Sequence, residues 1–176
     1  SLNASILRSD VTPDMPEFDL FIKEVAKEMT VKTGQKCTAI RRTIVPEERV
    51  DDVVRTLNKR LSAISIGDPG EKKTHMGPLA SALQAEYSPV QNNPLSRQGT
   101  HYGKWHNGGR NGSFDGAFAE PRVLLCHKPM EVDDIHRIEA FGPMTTVMPY
   151  KSTEEAIELA NKADGSLVGS LFTADD

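Results

Sequence analysis

Apolar positions recur at helical spacing in three stretches. Phe18, Phe21, Ile22, Val25, Ala26 and Met29 fall on one side of a helix, the spacing of a buried stripe. Asp14, Pro16 and Glu17 supply a start signal, and Thr33-Gly34 a stop, because glycine takes the left-handed conformation that ends helices. A second helix is predicted after Pro46, with Glu47, Glu48, Asp51 and Asp52 near its positive end and a stripe of Val50, Val53, Val54, Leu57 and Leu61. The third opens on the capping-box sequence Ser152-Thr153-Glu154-Glu155 and carries Ala156, Ile157, Leu159, Ala160 and Ala163. Runs at 39–45, 122–126, 145–148 and 167–173 read as strands. Strands alternating with helices predict an α/β fold on a largely parallel sheet. Segment 88–119 has six glycines and little periodicity; it reads as a surface excursion, a hairpin being one form of it, and as the most mobile part.

Composition narrows the function classes. At 176 residues the chain is one domain in size. Its 21 basic and 25 acidic residues give a net charge of −4, which is not the basic footprint of a nucleic-acid binder. No apolar run reaches the ~20 residues of a membrane helix, and the first residues lack the layout of a signal peptide. Two cysteines make neither a disulfide framework nor, alone, a zinc site. The expectation is a soluble, cytoplasmic domain with no nucleic-acid or membrane partner.

Two segments can carry chemistry. In Gly34-Gln35-Lys36-Cys37-Thr38-Ala39, Cys37 lies between a helix and a strand. Lys36, Arg41 and Arg42 would favour its thiolate, and a glycine-led turn would aim backbone N–H groups at an oxyanion. The bland reading is a packed thiol, since free cysteine is among the most buried residue types. Cys126, after Val123-Leu124-Leu125, fits that bland reading. In Glu139-Ala140-Phe141-Gly142-Pro143, Glu139 can accept two hydrogen bonds from a ribose diol and Phe141 can pack on a ring; a plain turn explains the same residues. His101, His106, His127 and His136 lack ligand spacing, so no metal is expected. Gly108-Gly109-Arg110-Asn111-Gly112 lacks the strand and helix of a dinucleotide fingerprint.

Taken together, the two segments resemble the aldehyde dehydrogenase superfamily, the first its nucleophile segment and the second its Glu-x-Phe-Gly-Pro motif. Between them Ile66-Gly67-Asp68-Pro69, Met76-Gly77-Pro78-Leu79 and Gly116-Ala117-Phe118-Ala119-Glu120-Pro121 match further landmarks in order. Glu154-Glu155-Ala156, Ala160-Asn161 and Leu171-Phe172-Thr173 continue the pattern. Ser1 to Asn3, Asp10-Val11-Thr12-Pro13, Pro16-Glu17-Phe18 and Lys36 to Arg42 are most similar to one branch, the dehydrogenase domains of bifunctional phenylacetate-degradation enzymes.

The resemblance implies a three-layer aldehyde-dehydrogenase-like catalytic domain and oxidation of a CoA-linked semialdehyde to the acid, with NADP, or NAD, as hydride acceptor. Cys37 would form the thiohemiacetal and thioester. Glu139 would hold the nicotinamide ribose, with Phe141 against the ring; Gln35 and Thr38 shape the site without an assigned role. In the family the general-base glutamate, the oxyanion-hole amide and the nucleotide-binding domain precede this segment, and the branch adds a C-terminal hydratase domain. None of Glu17, Glu24 or Glu28 stands at the base position. Residues 1–176 are therefore expected to be a partial catalytic domain of a homo-oligomeric enzyme, folding alone without turnover and prone to self-association. The rival readings are a Cys37 thioesterase or acyltransferase with a base such as His136, and a non-catalytic interaction module.

Overall fold

Five strands, β1 (Asn3–Leu7), β2 (Ile40–Pro46), β3 (Arg122–Leu125), β4 (Met144–Tyr150) and β5 (Gly169–Phe172), form one sheet in the order β3-β4-β2-β1-β5. Every pairing is parallel. These features come from a computed structural model, which describes residues 1–81, 83 and 116–175. The predicted excursion falls mostly on 88–115, outside the described residues; only its end is described, where Ala117 and Ala119 pack on Leu79.

Side chains alternate across a strand, and the alternation sorts them into two cores. Leu7, Val45, Val123, Leu125 and Val147 face α1 (Pro16–Thr30) and α2 (Val50–Leu61). Their neighbours Ile6, Ile44, Leu124, Cys126 and Met148 face the opposite side, with Ile135 of α3 (Asp134–Arg137) and with Ala156 and Leu159 of α4 (Thr153–Asn161). Helices on both faces make three layers. β2 and β4 are buried along their whole length, as parallel strands covered on both faces must be. Phe21 of α1 meets Phe172 of β5 edge-on at 5.2 Å, a geometry worth ~0.5–1.5 kcal/mol beyond its burial.

The stripes expected on α1 and α2 are the ones buried, and the strand runs hold to within a few residues. Ser152 caps α4: its Oγ accepts from Glu155 N–H at 3.2 Å, and Glu155 Oε2 accepts from Lys151 N–H at 2.7 Å. Three points differ. Asp14 does not cap α1; its carboxylate accepts from Thr12 Oγ1 and Pro16 simply begins the helix, its missing N–H costing nothing there. A short 3-10 turn, Glu47–Arg49, separates Pro46 from α2. β1 was not expected at all. Its apolar run is broken by Asn3 and Ser5, both buried and both hydrogen-bonded.

Candidate active site

Helix α1 gives way to a left-handed turn. Lys32, Thr33 and Gly34 have φ of 53°, 56° and 70°, a conformation that costs a non-glycine residue roughly 1–2 kcal/mol. Contacts from elsewhere in the chain hold it. Thr33 is buried and its Oγ1 donates to the Gly77 carbonyl at 2.9 Å. Gln35 Oε1 accepts from Ala80 N–H at 2.8 Å, and its Nε2 reaches the Phe141 carbonyl at 3.4 Å.

This turn delivers Cys37 to the surface. Lys36 O accepts from Ala39 N–H at 3.2 Å, so Cys37 and Thr38 form the corner of a β-turn just before β2. Cys37 is exposed and Cys126 buried; the packed-thiol reading suits only Cys126, whose thiol burial pushes up. Among the described residues the Cys37 N–H donates to no backbone acceptor.

Asn3 fixes the far side of the turn. Its amide is wholly buried, with Nδ2 donating to the carbonyls of Cys37 at 2.8 Å and Ala39 at 3.0 Å. Its Oδ1 accepts from the N–H groups of Leu167 at 2.9 Å and Val168 at 3.1 Å. All four hydrogen-bonding positions of one amide are used. Sequence reasoning gave Asn3 no role beyond its place in the Ser1 to Asn3 resemblance; the physical signal is a polar residue inside the short run Leu2, Ala4, Ile6.

The 139–143 bend lies against the same turn. A side-chain carbon placed on Gly34 would stand 2.2 Å from the Gly142 carbonyl oxygen, so the two backbones touch. Arg41 closes the junction, donating to the carbonyls of Gly142 and Gly34 at 2.6 Å each. Glu139 Oε1 lies 3.6 Å from Arg41 Nε. The ring of Phe141 is 42% exposed. Glu139 Oε1 is buried against Arg41 Nε and makes no hydrogen bond; a carboxylate next to the exposed Phe141 is a pairing that suits a polyhydroxylated ligand with a flat head group, such as a nicotinamide riboside.

The three basic residues expected around Cys37 divide. Lys36 ion-pairs with Glu28 at 2.7 Å, and Arg41 serves the junction. Arg42 projects from the other face of β2: it is buried and donates to the carbonyls of Leu2, Leu159 and Ala160 at 2.9, 2.6 and 3.0 Å. Burial lowers its pKa to about 10, so it is charged at neutral pH and suits the carbonyl end of α4. His136 is also remote in its contacts. Its buried Nε2 donates to the Pro129 carbonyl at 2.8 Å, and Arg42 and Lys162 are its basic neighbours. A Cys37–His136 dyad has no support in that arrangement. No group of three metal-binding side chains occurs among the described residues, nor any helix long and apolar enough to cross a membrane.

Known proteins share both sequence and architecture with this chain. A 3,4-dehydroadipyl-CoA semialdehyde dehydrogenase of Aromatoleum evansii is 35% identical over 99% of this chain and 35% of the relative. A succinate-semialdehyde dehydrogenase [NADP(+)] of Deinococcus radiodurans is 32% identical over 92% of this chain and 33% of the relative. The crystal structure of a betaine aldehyde dehydrogenase from Staphylococcus aureus in complex with NAD+ superposes with a TM-score of 0.81 at 28% identity, covering 98% of this chain and 33% of that one. A 1-pyrroline-5-carboxylate dehydrogenase from Thermus with bound NAD gives 0.81 at 28% identity, over 99% and 32%. The chain thus spans about a third of the length of these proteins. The family pattern itself extends over residues 8–176, through the Cys37 turn and the 139–143 bend alike, and the chain belongs to the aldehyde dehydrogenase family.

Proposed function

We propose that this chain is the nucleophile-bearing part of an enzyme that oxidises a CoA-linked semialdehyde to the acid, with NADP, or NAD, as hydride acceptor, in aerobic phenylacetate catabolism. The observation that carries the reading is the exposed Cys37 turn pinned against the bend that holds Glu139 and Phe141. The resemblance to the CoA semialdehyde dehydrogenase of Aromatoleum evansii supports the substrate class. The relative from Deinococcus radiodurans carries NADP in its name, while the solved relatives carry NAD.

In this reading the Cys37 thiolate adds to the aldehyde carbon and a C–S bond forms. The carbonyl oxygen becomes an oxyanion that the Cys37 N–H can receive. A nicotinamide nucleotide, when bound, supplies the hydride acceptor that aldehyde oxidation requires. The Glu139 carboxylate would accept from the ribose, and Phe141 would limit the freedom of the ring. Hydrolysis of the Cys37 thioester needs a general base, which we place, with the nucleotide fold, outside these 176 residues. The whole enzyme is proposed to be a cytoplasmic homo-oligomer.

Peptide-resolved alkylation with iodoacetamide across roughly pH 5 to 9 tests the reading. Cys37 should label at neutral pH while Cys126 stays protected, and prior incubation with a CoA-linked semialdehyde should shield Cys37 reversibly. Resistance of Cys37 until the protein unfolds, or labelling indifferent to the aldehyde, overturns it.

A further inference from the structure

A single guanidinium links the two segments that the proposed chemistry must keep in register. Arg41 is 4% exposed. One of its terminal nitrogens donates to Gly34 O, on the turn that carries Cys37, and the other to Gly142 O, on the bend that carries Glu139 and Phe141. Its Cζ stands 5.5 Å from the centroid of the Phe141 ring, within the range of a cation–π contact. Its Nε faces Glu139 Oε1 at 3.6 Å, and both atoms are buried without a hydrogen-bond partner. All three guanidinium nitrogens therefore face one of the two segments.

We infer that Arg41 is a positioning residue of the site, a fork that sets the separation of the Cys37 turn from the 139–143 bend and aims the Glu139 carboxylate. The inference rests on the proposed roles of Cys37 and Glu139. Arginine suits the task because its planar head offers donors in two fixed directions at once, whereas a lysine ammonium is a point charge on a flexible stem. The contacts are specific to position 41. Arg42 is also buried and donates to three carbonyls rather than two, yet all three lie on the opposite side, at Leu2, Leu159 and Ala160. Adjacent residues of one strand divide the labour: Arg42 fastens a helix end, and Arg41 fastens the site.

That division supplies the control. Arg41→Met, Arg41→Lys and Arg42→Met are compared with the unaltered chain by Cys37 alkylation rate at neutral pH, by amide exchange in peptides covering 34–39 and 139–143, and by thermal midpoint. Arg41→Met should slow Cys37 alkylation about threefold to tenfold, within the lower part of the range of couplings between residues in contact, because Glu139 loses its counter-charge and the turn its tie. Exchange should quicken in both segments together. Arg41→Lys keeps the charge and serves if the methionine variant does not fold; it should quicken exchange with a smaller loss of alkylation rate. Arg42→Met should lower the midpoint and leave both site readouts in place. Arg41 and Arg42 variants that differ from the unaltered chain only in midpoint overturn the inference. If Cys37 of the unaltered chain is itself inert, the nucleophile reading fails instead, and the exchange data still decide the role of Arg41.

Discussion

Gly34 and Gly142, more than a hundred positions apart, meet backbone to backbone: a Cβ on Gly34 would lie 2.2 Å from the Gly142 carbonyl oxygen and 2.6 Å from its carbon. No side chain fits there, and the Gly34 φ of 70° independently favours glycine. The Cys37 turn and the 139–143 bend can be close neighbours because position 34 carries no side chain.

Gly34→Ala should therefore be far more damaging than its conformation alone explains. Gly165 is the internal comparison, with a φ of 72° and nothing within 4 Å of an added Cβ. Gly165→Ala should cost about 1–2 kcal/mol of left-handed strain, roughly 2–8 °C in melting temperature for a chain of this size. Gly34→Ala adds a clash with backbone and should cost ~3 kcal/mol or more. Thermal melts of the two variants decide it; equal losses would mean that the close approach does not exist in solution.

The Asn3 amide leads to a second expectation. Asn3→Asp keeps the shape and the acceptor for Leu167 and Val168 but turns the donor side into an anion facing the Cys37 and Ala39 carbonyls. Leaving buried groups unpaired in this way should cost about 2–4 kcal/mol at neutral pH. Ser170→Ala, which removes only the 2.9 Å bond to Ser5 Oγ, should cost no more than ~1 kcal/mol. Urea midpoints of the two variants test the contrast, and similar values would refute the four-way clamp.

These residues also mark where the sequence was readable. Repeating apolar positions carry the layer architecture directly: the stripes of α1 and α2 and the alternation of β2, β3 and β4 are the two cores. Motif spacing carried Cys37, Glu139 and Phe141 as candidates, but not the contact that joins them. β1 escaped because Asn3 and Ser5 are buried polar residues whose partners, Leu167, Val168 and Ser170, are more than a hundred and sixty positions away. Arg41 and Arg42 look alike in sequence, and only the pleat of β2 sends them to opposite faces. Asp14 bore a capping signal yet bonds Thr12, a local competitor for the same carboxylate.

Cys126 should give the chain an alkaline weakness. Burial raises its thiol pKa, only partly offset by a backbone hydrogen bond from Lys128. The folded value therefore exceeds the unfolded one of about 8.5. Its contribution is complete below that unfolded value and is lost as pH rises through the folded one, because the unfolded chain releases the proton first. Cys126→Ala should be less stable at neutral pH by about 1–2 kcal/mol, with the gap to the unaltered chain narrowing at alkaline pH. Urea titrations of both proteins along the alkaline range measure this. A gap that stays constant would show a thiol already open to solvent.

His136 works in the opposite sense. Burial is the main cause lowering its pKa; the charges of Arg42 and Lys162 act in the same direction, while the Pro129 carbonyl and Asp133 act against it. The Nε2–H is engaged with Pro129 O, and Nδ1 is buried without a partner, so a second proton would be placed where nothing accepts it. The unfolded chain, with an ordinary value of about 6.5, binds that proton more readily. The stabilising contribution of the neutral ring is present above the unfolded value and is lost as pH falls through the folded one, at no more than ~1.4 kcal/mol per pH unit. His136→Gln can keep a donor to Pro129 O but cannot titrate. It should be weaker than the unaltered chain at neutral pH by ~1 kcal/mol and lose less stability between neutrality and mild acid. Urea midpoints of the two proteins in that range should converge. Parallel curves would mean that the ring is protonated equally well folded and unfolded, and that His136 is not sealed in the core beside Ile135.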